Sequence, residues 1–142
     1  QTGAVATGTT ILPHDDSIPQ NNEGDEYMSR SITPTSAANK LKIEVVIYAS
    51  ISGSSQWTAA ALFQDSTANA LAAGTAFDAT ATAIPSPIVF THYMTAGTTS
   101  ATTFKVRAGG SASGTTTFNG QTGGRIFGGV MASSITISEI IP

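Results

Sequence analysis

Residues Lys40 to Ile51 alternate in character over twelve positions: Leu41, Ile43, Val45, Ile47, Ala49 and Ile51 share one parity, and Lys40, Lys42, Glu44, Val46, Tyr48 and Ser50 the other. A period of two, rich in β-branched types, marks a half-buried strand and excludes the stripe of an amphipathic helix. Ser52-Gly53-Ser54-Ser55 then reads as turn material and Gln56 to Gln64 as a second strand, a pattern that predicts a hairpin. Asp65-Ser66-Thr67-Ala68-Asn69 is the next break, with short polar side chains suited to bonding the backbone of a turn.

Tyr27 to Ile32, Ile88 to Met94, Thr102 to Ala108, Thr115 to Asn119 and Ser133 to Ile140 also read as strands, and Val5 to Leu12 is a further candidate. Turn segments separate them at residues 96–100, 109–114 and 120–124. Seven to nine short strands at spacings of about ten residues predict an all-β fold, an antiparallel β-sandwich of jelly-roll type. Ala68 to Ala83 is rich in alanine, but its threonines, Gly74, Pro85 and Pro87 weaken a helix there. One helical turn near Ala70 is the most this segment predicts.

The 142 residues suffice for one such domain, 1–142, and are too few for two. Thr, Ala, Ser and Gly number 22, 21, 16 and 14, so the core must be built largely from small side chains. A sandwich of that kind buries modest apolar area per chain, and association would help to stabilise it. Val46 and Tyr48, apolar groups on the outward parity of the best strand, fit an interface or a covering second sheet.

Six Lys and Arg against nine Asp and Glu leave a net charge of -3 and no basic cluster, which argues against a nucleic-acid partner. With no cysteine there is no disulfide, thiolate nucleophile or thiolate metal site. No apolar run approaches the roughly 20 residues of a membrane helix, and no membrane insertion is expected. The start Gln1-Thr2-Gly3-Ala4 is unlike a secretory signal and fits a piece of a longer chain.

Five carboxylates fall within twelve residues between Asp15 and Glu26. Hard cations such as calcium take several oxygen ligands, so Asp15, Asp16, Asp25 and Glu26 form the metal candidate, against the alternative of a solvated acidic loop. The spacing does not match an EF-hand, and Pro19 interrupts it. His14 and His92 would need a carboxylate as third ligand to hold zinc. The acids outside the loop, Glu44, Asp65, Asp78 and Glu139, do not recommend themselves as a catalytic pair. No G-x-S-x-G elbow or P-loop occurs, and tight turns or close packing account for Gly109-Gly110 and Gly123-Gly124. Trp57 and Tyr48 could stack on a sugar ring or a partner surface, the alternative for Trp57 being a place in the core.

The stretches Gly24-Asp25-Glu26-Tyr27-Met28, residues 32–41, Ala61-Leu62-Phe63-Gln64-Asp65, residues 98–107 and residues 132–140 resemble a domain widespread in tailed-bacteriophage genomes and viral metagenomes. That domain forms the C-terminal part of tail-fibre-like and other virion fibre proteins, and the likeness runs from Thr2 to Ile140. It implies a β-sandwich knob, similar to C1q and tumour-necrosis-factor jelly rolls, at the distal end of a homotrimeric fibre on the virion. Such a tip would bind a host surface polysaccharide or protein without enzymatic activity. The competing expectations are a structural virion protein (capsid decoration, head fibre or trimerisation cap), a polysaccharide-degrading enzyme with a carboxylate pair facing a groove, and a carbohydrate-binding module centred on Trp57.

Overall fold

The computed structural model describes residues 1–53, 55–79 and 83–141. Ser54 of the expected turn, residues 80–82 at the end of the alanine-rich run, and Pro142 lie outside them. In chain order the strands are β1 (Ala6–Gly8), β2 (Asp25–Ile32), β3 (Lys40–Ile51), β4 (Gln56–Gln64), β5 (Ala72–Asp78), β6 (Ser86–Thr95), β7 (Thr102–Gly110), β8 (Thr116–Phe118), β9 (Gly120–Gln121), β10 (Gly124–Arg125) and β11 (Ser134–Ile140). A 3-10 turn, Phe127–Gly129, precedes β11. The fold is an all-β antiparallel sandwich of jelly-roll type.

β3 is the spine of one sheet. Along one edge it pairs with β6, from Lys40 opposite Thr95 to Ala49 opposite Ser86. Along the other edge β11 pairs with residues 40–46 and β8 with residues 49–51, and β1 adds to β8. Twelve residues of strand reach about 40 Å, room for two partners end to end. The second sheet runs β2-β7-β4-β5. Between the sheets, Leu41, Ile43, Val45 and Ile47 of β3 meet Leu62, Phe104 and Val106, all at 0% exposure.

β3 and β4 are not the expected hairpin, because they belong to different sheets. Both edges of β3 are already occupied, and residues 59–63 of β4 are apolar at consecutive positions, which calls for burial on two faces rather than one. The chain arches between the sheets, with Gly53 and Ser55 at positive φ. Buried Gln56 ties this arch to the β7–β8 connection, its amide donating to the Ser113 carbonyl and its oxygen accepting from Ala112 N–H.

The alanine-rich run departs from its expected character too. It supplies β5 rather than a helical turn, with Ala72, Gly74 and Ala76 turned inwards and Ala73, Thr75 and Phe77 outwards. Small inward groups are what this position needs: a Cβ on Gly74 would stand 2.9 Å from Ile88 and 3.0 Å from Phe90 of β6. β7 also continues through Gly109 and Gly110, while Val5 to Leu12 yields only the three residues of β1.

A strap, residues 9–24, lies over the outer face of the second sheet. Leu12, 1% exposed, plugs into Ala59, Ala61 and Phe63, the outward residues of β4. Backbone bonds from Leu12 N–H to Gly110 and from Ala70 N–H to Pro19 hold it down. The approach is close enough to require glycine at 109, where a Cβ would fall 2.5 Å from the Thr10 carbonyl oxygen.

β11 is fastened at its end by Glu139. One carboxylate oxygen accepts from the Asn39 amide at 2.7 Å and from the Thr35 N–H and hydroxyl at 2.8 and 3.0 Å. These bonds, Asn39 first, hold the Glu139 carboxyl below its ordinary value. A depressed carboxylate contributes stability above its unfolded value of 4.5 and loses it as the pH falls through the folded value. Thermal melts of wild type and Glu139→Gln should therefore differ at neutral pH, with the gap closing below pH 4.5; a gap independent of pH would contradict this role.

Candidate functional site

The strap and β5 enclose a groove on the outer face of the second sheet. Two adjoining hollows, of 300 and 210 Å³, share Asp15, Ser17, Pro19 and Ala73. The first is completed by Asp16, Ile18 and residues 70–72, the second by residues 12–14, Ala59, Gly74 and Thr75. Residues 13–17 hold their shape through Asp15, whose carboxylate accepts from the Ser17 N–H at 2.8 Å and from the Ser17 hydroxyl. The Ser17 hydroxyl and then its N–H lower the Asp15 pKa, so this group is ionised at neutral pH. Gln20 anchors the far end, donating to Ile18 and Asn69.

His14, which lines the second hollow, belongs to a cluster of three rings. The His14 imidazole lies flat on the Trp57 indole, with centroids 4.3 Å apart and planes 3° from parallel. Phe77 meets Trp57 at 4.8 Å and a tilt of 49°. Trp57 and Phe77 are direct partners in the β4–β5 register, while the strap delivers His14 from above. Trp57 is thus neither core nor an isolated platform: it is the brace of a three-ring cluster in which Phe77 is half exposed.

The opposite face of the sandwich is different in kind. There Tyr48 lines a hollow of 380 Å³ with Phe127, Val130, Met131 and Ala132. Phe127, Gly128 and Gly129 all have positive φ, and this turn leaves Phe127 and Val130 at 71% and 83% exposure. Val89 and Tyr93 of β6, also exposed, lie directly opposite Val46 and Lys42 of β3. Lys42 pairs with Glu44 at 2.8 Å, so the charges at the centre of this face cancel.

A hollow of 560 Å³ is an unclosed side of the core between the edges of β2 and β11, floored by Tyr27, Met28, Ile135 and Ile137. Burial pushes the Tyr27 hydroxyl pKa up, and its oxygen is buried without a hydrogen-bond partner.

The residues singled out by sequence are therefore redistributed. Trp57 and Tyr48 occupy opposite faces and share no site. Asp15 and Asp16 join the Trp57 groove, whereas Asp25 binds the Thr10 N–H and hydroxyl at 3.0 and 2.8 Å, and Glu26 faces Lys105 at 3.7 Å. Among the described residues no three His, Asp or Glu gather as a metal-holding group. His14 and His92 are apart: His92 points to the inner side of β6, where burial lowers its pKa. Asp65 accepts from the Thr102 hydroxyl and Thr103 N–H, and Asp78 from Ile84 N–H.

His14 as a stacking group and Phe77 as a surface ring are the site residues that sequence reading misses. Phe77 could be found only by assigning β5 as a strand and setting its register against β4. The contact of His14 with Trp57 spans 43 residues and leaves no local signal.

No family model matches the chain, and no curated protein matches it. Among solved structures it is similar to the C-terminal domain of EclA, a sugar-binding protein, at 14% identity and a TM-score of 0.49, over 97% of this chain and 79% of that one. It is also similar to the VP2 subviral particle of infectious bursal disease virus, at 14% identity and a TM-score of 0.34, over 96% of this chain and 37% of that one. Neither likeness is near enough to transfer a ligand or a partner.

Because the chain has one tryptophan, its emission reports this cluster alone. His14→Ala should shift that emission to the red and cost about 0.5–1.5 kcal/mol of stability; unchanged emission would contradict the stacking.

Proposed function

We propose that this chain is a non-enzymatic host-attachment domain at the tip of a trimeric phage fibre, and that it grips a bacterial surface glycan in the Trp57 groove. The observation that carries the reading is the placement of two unlike surfaces on opposite faces of one rigid sandwich. The Tyr48 face carries exposed Val89, Tyr93, Phe127 and Val130 around the Lys42–Glu44 ion pair, and it suits contact between copies. The Trp57 groove combines exposed rings with the hydroxyl and carboxylate groups of Ser17, Asp15 and Asp16, a composition suited to sugars. Association through the first face leaves three grooves facing outwards.

The chemistry is recognition alone. The exposed ring of Phe77 and the outer side of His14 stack on the apolar face of a pyranose, and Trp57 holds both rings in place. Polar groups of the strap then orient the sugar hydroxyls. A shallow site binds weakly by itself, and three linked copies raise the apparent affinity by about 10²–10⁴ when they engage together. The sequence resemblance to virion fibre domains supplies the trimer and the virion as the setting.

Light scattering should give a mass near three times 14.4 kDa for wild type. Val89→Glu, which puts a charge on the apolar face, should give a monomer. The trimer should bind host cells or extracted surface polysaccharide saturably, and Phe77→Ala should abolish this without changing the mass. A stable wild-type monomer would overturn the fibre reading. A trimer with no saturable binding would overturn attachment and leave a structural virion role.

A further inference from the structure

We infer that Thr102 and Gln64 are the two halves of an intramolecular ester crosslink, formed within the folded chain with Asp65 as the base. Three reactive groups meet where β4 ends and β7 begins. The Thr102 hydroxyl, on a residue 1% exposed, donates to Asp65 Oδ2 at 2.8 Å. The same oxygen accepts from the Gln64 side-chain Nε2 at 3.0 Å. A hydroxyl, a carboxylate to take its proton and a carboxamide to be acylated onto it are the components of acyl transfer.

Strand register sets this meeting. Gln64 lies opposite Phe104 in the antiparallel β4–β7 pair. Thr102, two residues before Phe104, projects from the same face and is the diagonal neighbour of Gln64, within reach of a long side chain. Asp65 follows with φ 51, a left-handed conformation that Asp adopts more readily than most residues. Its N–H donates to the Thr103 carbonyl at 2.8 Å, and its Oδ1 accepts from the Thr103 N–H at 2.7 Å. With the first oxygen so held, the second is fixed on the Thr102 hydroxyl.

In the reaction, Asp65 takes the hydroxyl proton as Thr102 Oγ1 adds to Gln64 Cδ, the atom bonded to Nε2. Attack needs Cδ within about 3–3.5 Å of the oxygen, a small swing of one side chain from the hydrogen-bonded position. The tetrahedral adduct then loses its C–N bond, and Nε2, given that proton by Asp65, leaves as ammonia. A C–O bond replaces a C–N bond, with no oxidation and no second reactant. Thr35, Asn39 and Glu139 meet in a similar way, the Thr35 hydroxyl donating to Glu139 at 3.0 Å and accepting from the Asn39 amide at 3.1 Å. Thr35 is exposed, however, so water would reach an ester there, whereas burial of Thr102 keeps water from this one. In a chain without cysteine, the bond supplies the covalent tie between strands that a disulfide gives elsewhere.

The test is mass spectrometry of the intact wild-type chain, folded, then denatured and digested with trypsin. No Lys or Arg falls between Lys42 and Lys105, so residues 43–105 are released as one peptide carrying both partners. That peptide should be lighter than its sequence by one ammonia. Gln1, which can cyclise with the same loss, falls on another peptide, and residues 31–40, with Thr35 and Asn39, should keep their full mass. After cleavage by chymotrypsin at Phe77 or Phe90, the two pieces should stay joined under denaturing conditions until mild alkali opens the ester. Thr102→Ala and Asp65→Asn should restore the full mass, and Thr102→Ser should keep the loss. Full mass for residues 43–105 in the wild type, or a loss that survives Thr102→Ala, overturns the crosslink. A loss that survives Asp65→Asn overturns the role of Asp65 as the base.

Discussion

The burial of one side of β3 against the second sheet is the contact on which the rest of the molecule depends. Six successive inward positions, from Leu41 to Ile51, are sealed, and they contact strands of both sheets. Both edges of the same strand are also hydrogen-bonded, to β6 on one side and to β11 and β8 on the other. A strand used this fully fixes the register of its neighbours, since a slip of one residue would carry the whole apolar set to the outer face.

That arrangement decides what each outer face can become. On the β3 side the outer face carries exposed Val89 and Tyr93 and half-buried Val46 and Tyr48, with the Phe127–Gly129 turn beside Tyr48. On the other side the strap covers β4, with Leu12 as its plug, and this covering creates the groove. The groove walls are therefore part strap and part edge strand. Glycine at 109 keeps the strap low enough for His14 to reach Trp57, linking a backbone constraint within β7 to the geometry of a surface ring cluster.

Much of this is written locally in the chain. The alternation at 40–51 and the apolar run at 56–64 mark β3 and β4 to the residue, because burial on one face or two leaves a periodic trace. Their pairing leaves no such trace: whether two strands form a hairpin or an arch depends on which edges other strands have claimed. β5 is hidden for a related reason, since alanine and glycine have weak intrinsic strand preference and are selected there by the nearness of Ile88 and Phe90. The density of carboxylates between Asp15 and Glu26 is equally visible, but closeness in sequence does not converge in space. The strap places Asp15 and Asp16 in the groove, and strand β2 turns Asp25 and Glu26 to partners of their own.

Hydrogen–deuterium exchange on the intact chain tests the proposed division of labour between the two faces most directly. Raising protein concentration should slow exchange in residues 86–95 and 127–132, beside the Tyr48 face. Adding a bound saccharide should slow exchange in residues 12–19 and 70–77 and leave the first set unchanged. Saccharide protection that fell on the Tyr48 face, or concentration-dependent protection of the strap, would contradict the account.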